Sequence, residues 1–214
     1  MIFSSFAASA KSEEKMTPPR LETLAPEAQE RLAMAIQSNP HNAVILERLP
    51  SLRLADAWLV AGCLFQTVWN LDSGRPATQD IFDYDIFYFD EDISYEAEDR
   101  AIRRARALFA DLPIRVDLKN QARVHLWYGE RFGPGYPQLR SSADGVDRFL
   151  IECTRVAARR VDDALELYAP ARLDDLFAGV LRPNPLNPRP ELFAAKAASL
   201  RARWPFLTIA ETHA

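Results

Sequence analysis

Hydrophobic and polar positions along this chain change period repeatedly, and each change marks an element. Glu27 to Gln37 has a helical composition behind Pro26, a residue the first helical turn accepts, and Asn39-Pro40 ends it. His41 to Leu49 reads as a second short helix, closed by Pro50. Trp58-Leu-Val-Ala-Gly62 is an apolar run that predicts a buried strand, Cys63 to Trp69 begins a helix, and Leu71 to Pro76 is a turn-rich loop. From Phe82 to Phe89, aromatic and β-branched residues predict a strand. Ser94 to Ala110 is helical, with Ser94 as cap, Glu96 and Glu98 in the first turn and Arg103, Arg104 and Arg106 further on, as the helix dipole prefers. Pro113 to Leu118 predicts another strand and sets Asp117 among apolar residues.

Asn120 suits the cap of a helix that would align Asn120, Arg123 and Trp127 on one face and Gln121, His125 and Tyr128 beside them. The alternation from Arg123 to Tyr128 also permits a strand. After a loop from Gly133 to Ser142, Ala143 to Leu150 is expected to be helical. Thr154 to Arg160 and Ala164 to Tyr168 alternate like two strands about an Asp162-Asp163 turn. Asp174-Asp175 opens a helix or contributes to a site. Pro183, Pro185, Pro188 and Pro190 form a rigid connector to a last helix, Glu191 to Arg203. The succession predicts an α/β (α+β) protein: a small mixed sheet flanked by helices, with a C-terminal helical and β-hairpin extension. Residues 1–20 read as a tail, 21–205 as the domain and 206–214 as a second tail.

Composition narrows the function classes. Apolar residues make up 48% of the 214, enough for a sizeable core in an ordinary soluble protein. A net charge of −4 gives no global basic field for nucleic acid or membrane. Cys63 and Cys153 form neither a zinc pattern nor a disulfide framework and read as buried thiols in a reducing cytoplasm. No stretch approaches the roughly 18 apolar residues of a membrane span.

Candidate chemistry centres on Asp80-Ile-Phe-Asp-Tyr-Asp-Ile-Phe-Tyr-Phe-Asp90. Side chains two apart in a strand point the same way, roughly 6.5–7 Å apart. Asp83 and Asp85 therefore share a face, while Tyr84, Phe87 or Phe89 can pack elsewhere. Adjacent carboxylates repel unless a cation sits between them, and hard oxygen ligands suit Mg²⁺ or Mn²⁺. The alternative is an edge strand whose Asp residues discourage edge-to-edge pairing. Strand, helix, strand is a βαβ-like succession, which would bring Asp117 beside the first two carboxylates. Gly62, at a strand-to-helix junction, lets backbone N–H groups approach a phosphate, or else only permits close packing around Cys63. Arg123, His125 and Trp127 form a polar and aromatic mixture able to hold a base or phosphate, though a lone His is commonly structural.

Gly62-Cys63, Asp83-Tyr-Asp85 and Asp117 resemble the nucleotidyltransferase superfamily, which shares a Gly-containing turn, an Asp-x-Asp/Glu strand and a third acidic strand. More closely, the chain is similar to a bacterial nucleotidyltransferase-like family. The matching stretches are Ala61 to Asn70, Asp83 to Asp90, Asn120 to Tyr128 and Leu173-Asp-Asp-Leu-Phe177, spread across most of Leu52 to Pro205. The resemblance implies a nucleotidyltransferase-like fold and Mg²⁺-dependent (or Mn²⁺-dependent) transfer of NMP from an NTP. The acceptor would be a small molecule, a protein side chain or an RNA end. It assigns Asp83, Asp85 and Asp117 as metal ligands, with Asp117 also helping to deprotonate the acceptor, and the turn at Gly62 and Cys63 to the triphosphate. Cys63 stands where many of that superfamily have Ser or Gly. A non-catalytic module that senses a nucleotide or binds a partner protein is the competing reading.

Overall fold

The structure is a computed structural model and describes residues 25–210. The segment expected to be an N-terminal tail lies outside the described residues.

Helices α1 (Pro26–Ser38) and α2 (Pro40–Arg48) meet at Asn39, whose side chain caps α2 by accepting from the His41 and Asn42 amides. A 3₁₀ turn (Leu49–Leu52) leads to strand β1 (Trp58–Val60), and helix α3 (Gly62–Asp72) follows after one residue. Every residue from Cys63 to Asn70 is buried, so α3 is a central helix with no solvent face over that stretch. Strand β2 (Asp83–Tyr88), helix α4 (Tyr95–Leu108) and strand β3 (Arg115–Asn120) form the expected strand–helix–strand unit, with Ser94 capping α4 through the Ala97 amide. Beyond a 3₁₀ turn (Gln121–Arg123) come α5 (Val124–Phe132) and α6 (Ser142–Val146). Then follow β4 (Ala157–Val161), β5 (Ala164–Tyr168), α7 (Leu173–Ala178), β6 (Val180–Leu181), α8 (Pro190–Arg203) and β7 (Thr208–Ile209).

Five strands make one mixed sheet in the order β3-β2-β1-β4-β5, with β2 and β3 parallel and the other pairs antiparallel. The hairpin expected in the C-terminal half forms, and it hydrogen-bonds to β1, which makes it part of the main sheet. Two expected boundaries shift: Ser142–Val146 is a single helical turn instead of a helix to Leu150, and Thr154 lies in a 3₁₀ turn. Of the two readings open for 123–128, the helical one forms. Within the presumed C-terminal tail, Thr208 and Ile209 pair in parallel with Val180 and Leu181.

The two faces of the sheet differ. Leu59, Tyr84, Ile86, Leu118, Ala158 and Leu167 point into the main core, built with α1–α4, α7 and α8. On the opposite face Trp58, Val60 and Ala157 form a smaller cluster with Val146, Phe87 and Phe149. That face also carries Asp83 and Asp85. The expectation that Phe87 packs away from the carboxylates is corrected by parity: residues 83, 85 and 87 alternate with 84, 86 and 88. Phe87 meets Phe149 edge-on at 5.9 Å. At the far end of the core, Trp69 donates to Leu176 O and Trp204 donates to Asn70 Oδ1, both at 2.9 Å, which locks α7 and the end of α8 onto α3.

Candidate active site

The β1–α3 junction is held under tension. Ala61 adopts φ 64°, ψ −135°, a region side-chain-bearing residues rarely occupy, and such strain persists only where surrounding structure enforces it. Enforcement comes from both sides. Ala61 donates to Val156 O at 3.4 Å, and the Cys63 carbonyl accepts from Asn42 Nδ2 at 2.9 Å and from Thr67 Oγ1 at 2.6 Å. At Gly62 both sequence readings turn on available space. A Cβ there would lie 2.6 Å from Gln66 Nε2, so glycine lets the Gln66 amide fold back over the turn. The Cys63 thiol points the other way: it is fully buried, donates to Val60 O at 3.3 Å, and burial pushes its pKa well up. What the turn offers a ligand is therefore backbone.

Parallel pairing of β2 and β3 sets Asp83 beside Arg115 and Asp85 beside Asp117, so all three carboxylates leave one face of the sheet. Cations from β3 hold them. Lys119 Nζ is 3.1 Å from Asp85 Oδ1; Arg115 pairs with Asp117 at 2.9 Å and reaches Asp83 at 3.6 Å. The bond to Asp117, then the charges of Asp117 and Asp83, raise the pKa of Arg115 above its ordinary value. Among the described residues, no three Asp, Glu, His or Cys side chains stand close enough to hold one ion as they are. The donor set nonetheless fits a divalent cation in chemistry: three hard carboxylates on one sheet face, two of them already bridged by a guanidinium. A metal would take the place of Arg115 and Lys119.

Asp83, Asp85 and Gly62 line a cavity of about 350 Å³, within the roughly 300–1,000 Å³ range of small-ligand sites. Its apolar wall is Phe65, Phe149, Leu150 and Ile151, and Phe82, 70% exposed, stands at its edge. Gln66 and Thr154 add neutral polar groups, and Lys196 and Arg203 add positive charge from α8. Arg203 donates to Gln66 Oε1 at 3.2 Å and Asp80 O at 3.1 Å. Desolvation and the nearby Arg203 lower the Lys196 pKa, opposed by Asp85 and Asp83.

The remaining sequence candidates lie elsewhere. Asp117 borders a neighbouring hollow with Arg106 and Ile114. Arg123 pairs with Glu98 at 2.9 Å, His125 has a buried Nδ1 without a hydrogen-bond partner among the described residues, and Trp127 packs against Tyr128 and Phe132; none of the three lines the cavity. Asn120 caps its turn as expected, but its side chain is buried and ties Asp90 to Ala122. Asp174 and Asp175 sit in the first turn of α7 and pair with Arg172 and Arg182. Cys153 is a buried thiol with its pKa pushed up to about 12, chiefly by burial. Sequence reasoning missed Lys196, Arg203, Phe82 and Gln66. A signal existed for the first two: they are seven residues apart on a helix, hence on one face.

Comparison with known proteins supports the family and the fold. Residues 47–209 match the family described as Nucleotidyltransferase. A solved NMR structure, described as revealing a CCA-adding enzyme head domain, is 30% identical with a TM-score of 0.69, covering 86% of this chain and 96% of its own. No curated protein matches the chain.

Proposed function

The chain belongs to the nucleotidyltransferase family, and from that premise we propose that it uses Mg²⁺ or Mn²⁺ to transfer a nucleoside monophosphate from an NTP to an acceptor hydroxyl. One observation carries this reading: Asp83, Asp85 and Asp117 share one face of adjacent parallel strands, and the first two line a cavity with an apolar wall and two cations. Asp83 and Asp85 would hold the metal together with Asp117. Once bound, it neutralises charge on the phosphates and makes the acceptor hydroxyl more acidic. The acceptor oxygen bonds to the α-phosphorus as the bond from that phosphorus to the bridging oxygen breaks in line. Pyrophosphate leaves with the electron pair, and the hydroxyl proton passes to Asp117 and on to solvent. Phe65, Phe149 and Ile151 offer apolar surface to the nucleoside and exclude water.

Likeness to a CCA-adding head domain puts an RNA end first among acceptors to try, ahead of small molecules and protein side chains. Among the described residues no helix is long and apolar enough to cross a membrane, and two buried free thiols support a reducing cytoplasm. The ion pairs of Arg115 and Lys119 with the carboxylates favour a second reading, a nucleotide-sensing module without turnover. Labelled ATP, CTP, GTP and UTP with Mg²⁺ or Mn²⁺, RNA ends and host-cell extract separate the two. Labelled product and pyrophosphate from the wild type, lost in Asp83→Ala and Asp85→Ala, are expected. Nucleotide binding without turnover in all three proteins would establish the sensor instead.

A further inference from the structure

The two cations of the cavity are not neutralised by carboxylates of their own. Lys196 has no hydrogen-bond or ion-pair partner among the described residues, although it lines the same cavity as Asp83 and Asp85. Arg203 is held by neutral groups: the Gln66 amide, the Asp80 carbonyl, and the rings of Trp204 at 4.5 Å and Phe82 at 5.9 Å. These contacts fix its position without cancelling its charge. Asp80, the nearby carboxylate, is paired with Arg75 at 2.6 Å. The two cations repel one another, and their desolvation lowers both pKa values. An anion arriving between them would relieve that repulsion.

Position adds to the charge argument. Lys196 and Arg203 are two turns apart on α8, roughly 10 Å along its axis, and face one cavity. Trp204, fully buried and bonded to Asn70, anchors the end of that helix to α3, whose Gln66 holds Arg203. The β1–α3 turn cannot supply the equivalent contact by side chain, because Gly62 has none and the Cys63 thiol is in the core. A polyphosphate placed near Asp83 and Asp85 alone would be repelled.

We propose that Lys196 and Arg203 form the subsite for the phosphate tail of the donor nucleoside triphosphate, with Gln66 as the strut that aims Arg203. The assignment rests on the transfer reading of the cavity. It makes the C-terminal helix a part of the donor site, with the tail lying on α8 and the nucleoside on the apolar wall.

The test uses inorganic tripolyphosphate as probe, without metal or acceptor, by calorimetry on the full chain. Wild type is expected to bind it, with Lys196→Gln and Arg203→Gln each weakening binding about tenfold or more, as loss of a charged hydrogen bond implies. Arg203→Lys, which retains the charge, should keep part of the affinity, and adenosine affinity should not change in Lys196→Gln. Thermal melts establish that each variant is folded. Equal affinity in all variants, or none in wild type, overturns the subsite. ATP should displace tripolyphosphate; displacement by a terminally phosphorylated RNA and not by ATP would assign the cations to the acceptor and overturn the donor claim. The transfer reading is tested apart from this one, because tripolyphosphate binding needs no turnover and turnover indifferent to Lys196 would sink the subsite alone.

Discussion

Asp85 and Asp117 are register partners in the parallel ladder between β2 and β3, so two carboxylates from residues 32 positions apart stand side by side on one face. Lys119, paired with Asp85, and Arg115, paired with Asp117, compensate the repulsion between them. If the two carboxylates serve one metal, they act as a unit. Asp85→Asn and Asp117→Asn should each lower turnover at least ~100-fold, since even outer-shell partners of metal ligands are worth roughly 10- to 100-fold. The double variant should lose little more than the worse single one. Losses that multiply would mean the two act independently.

On the proposed metal site, Arg115 would compete with the divalent cation for Asp83 and Asp117. Its pairs are exposed, and such pairs are worth about 0–1 kcal/mol. Arg115→Gln is therefore expected to tighten Mn²⁺ binding by up to ~5-fold, read by electron paramagnetic resonance of free Mn²⁺. Weaker Mn²⁺ binding would make the guanidinium part of the site and not a rival for it.

Gly62 leaves room for the Gln66 amide. Gly62→Ala should push Gln66 off Arg203 and weaken NTP binding by about 1 kcal/mol, several-fold, with little change in stability, because the displaced atom ends a flexible side chain. In a Gln66→Ala background the same substitution should cost nothing further. A persistent cost there would place the constraint on the backbone.

Ala61 stores strain in the turn that starts α3. Ala61→Gly should raise stability by about 1 kcal/mol after glycine's greater unfolded-state freedom is subtracted. Urea unfolding decides the matter: a less stable variant would mean the turn is relaxed.

Arg48 donates to both oxygens of Asp111, at 2.6 and 2.9 Å, and that bond holds the Asp111 pKa below its ordinary 3.8. A group whose pKa is depressed by folding contributes stability above its unfolded value and loses it as pH falls through the folded one. The stability gap between wild type and Asp111→Asn should therefore be full at pH 7 and shrink below pH ~4. Asp147 pulls in the opposite sense, since burial raises its pKa, so the comparison must be between variants and not of wild type alone. A gap that widens on acidification would contradict the assignment.

What the sequence determined by itself was local. Alternation in Asp83–Tyr88 puts both carboxylates on one face and Ser94 caps its helix, because each follows from backbone geometry over a few residues, and the crossover helix between β2 and β3 lets the two strands run parallel. Asp117 was found by the same logic. The cavity was not legible in this way. Burial decided that the Cys63 thiol turns inward and that Arg123 pairs with Glu98 away from the cavity. Packing of Trp204 on α3 decided that Lys196 and Arg203, more than a hundred residues after Asp83, face it across one cavity. Periodicity tells which residues share a face of one element. Which faces meet is set by the long-range burial of apolar surface, and only the tertiary structure records it.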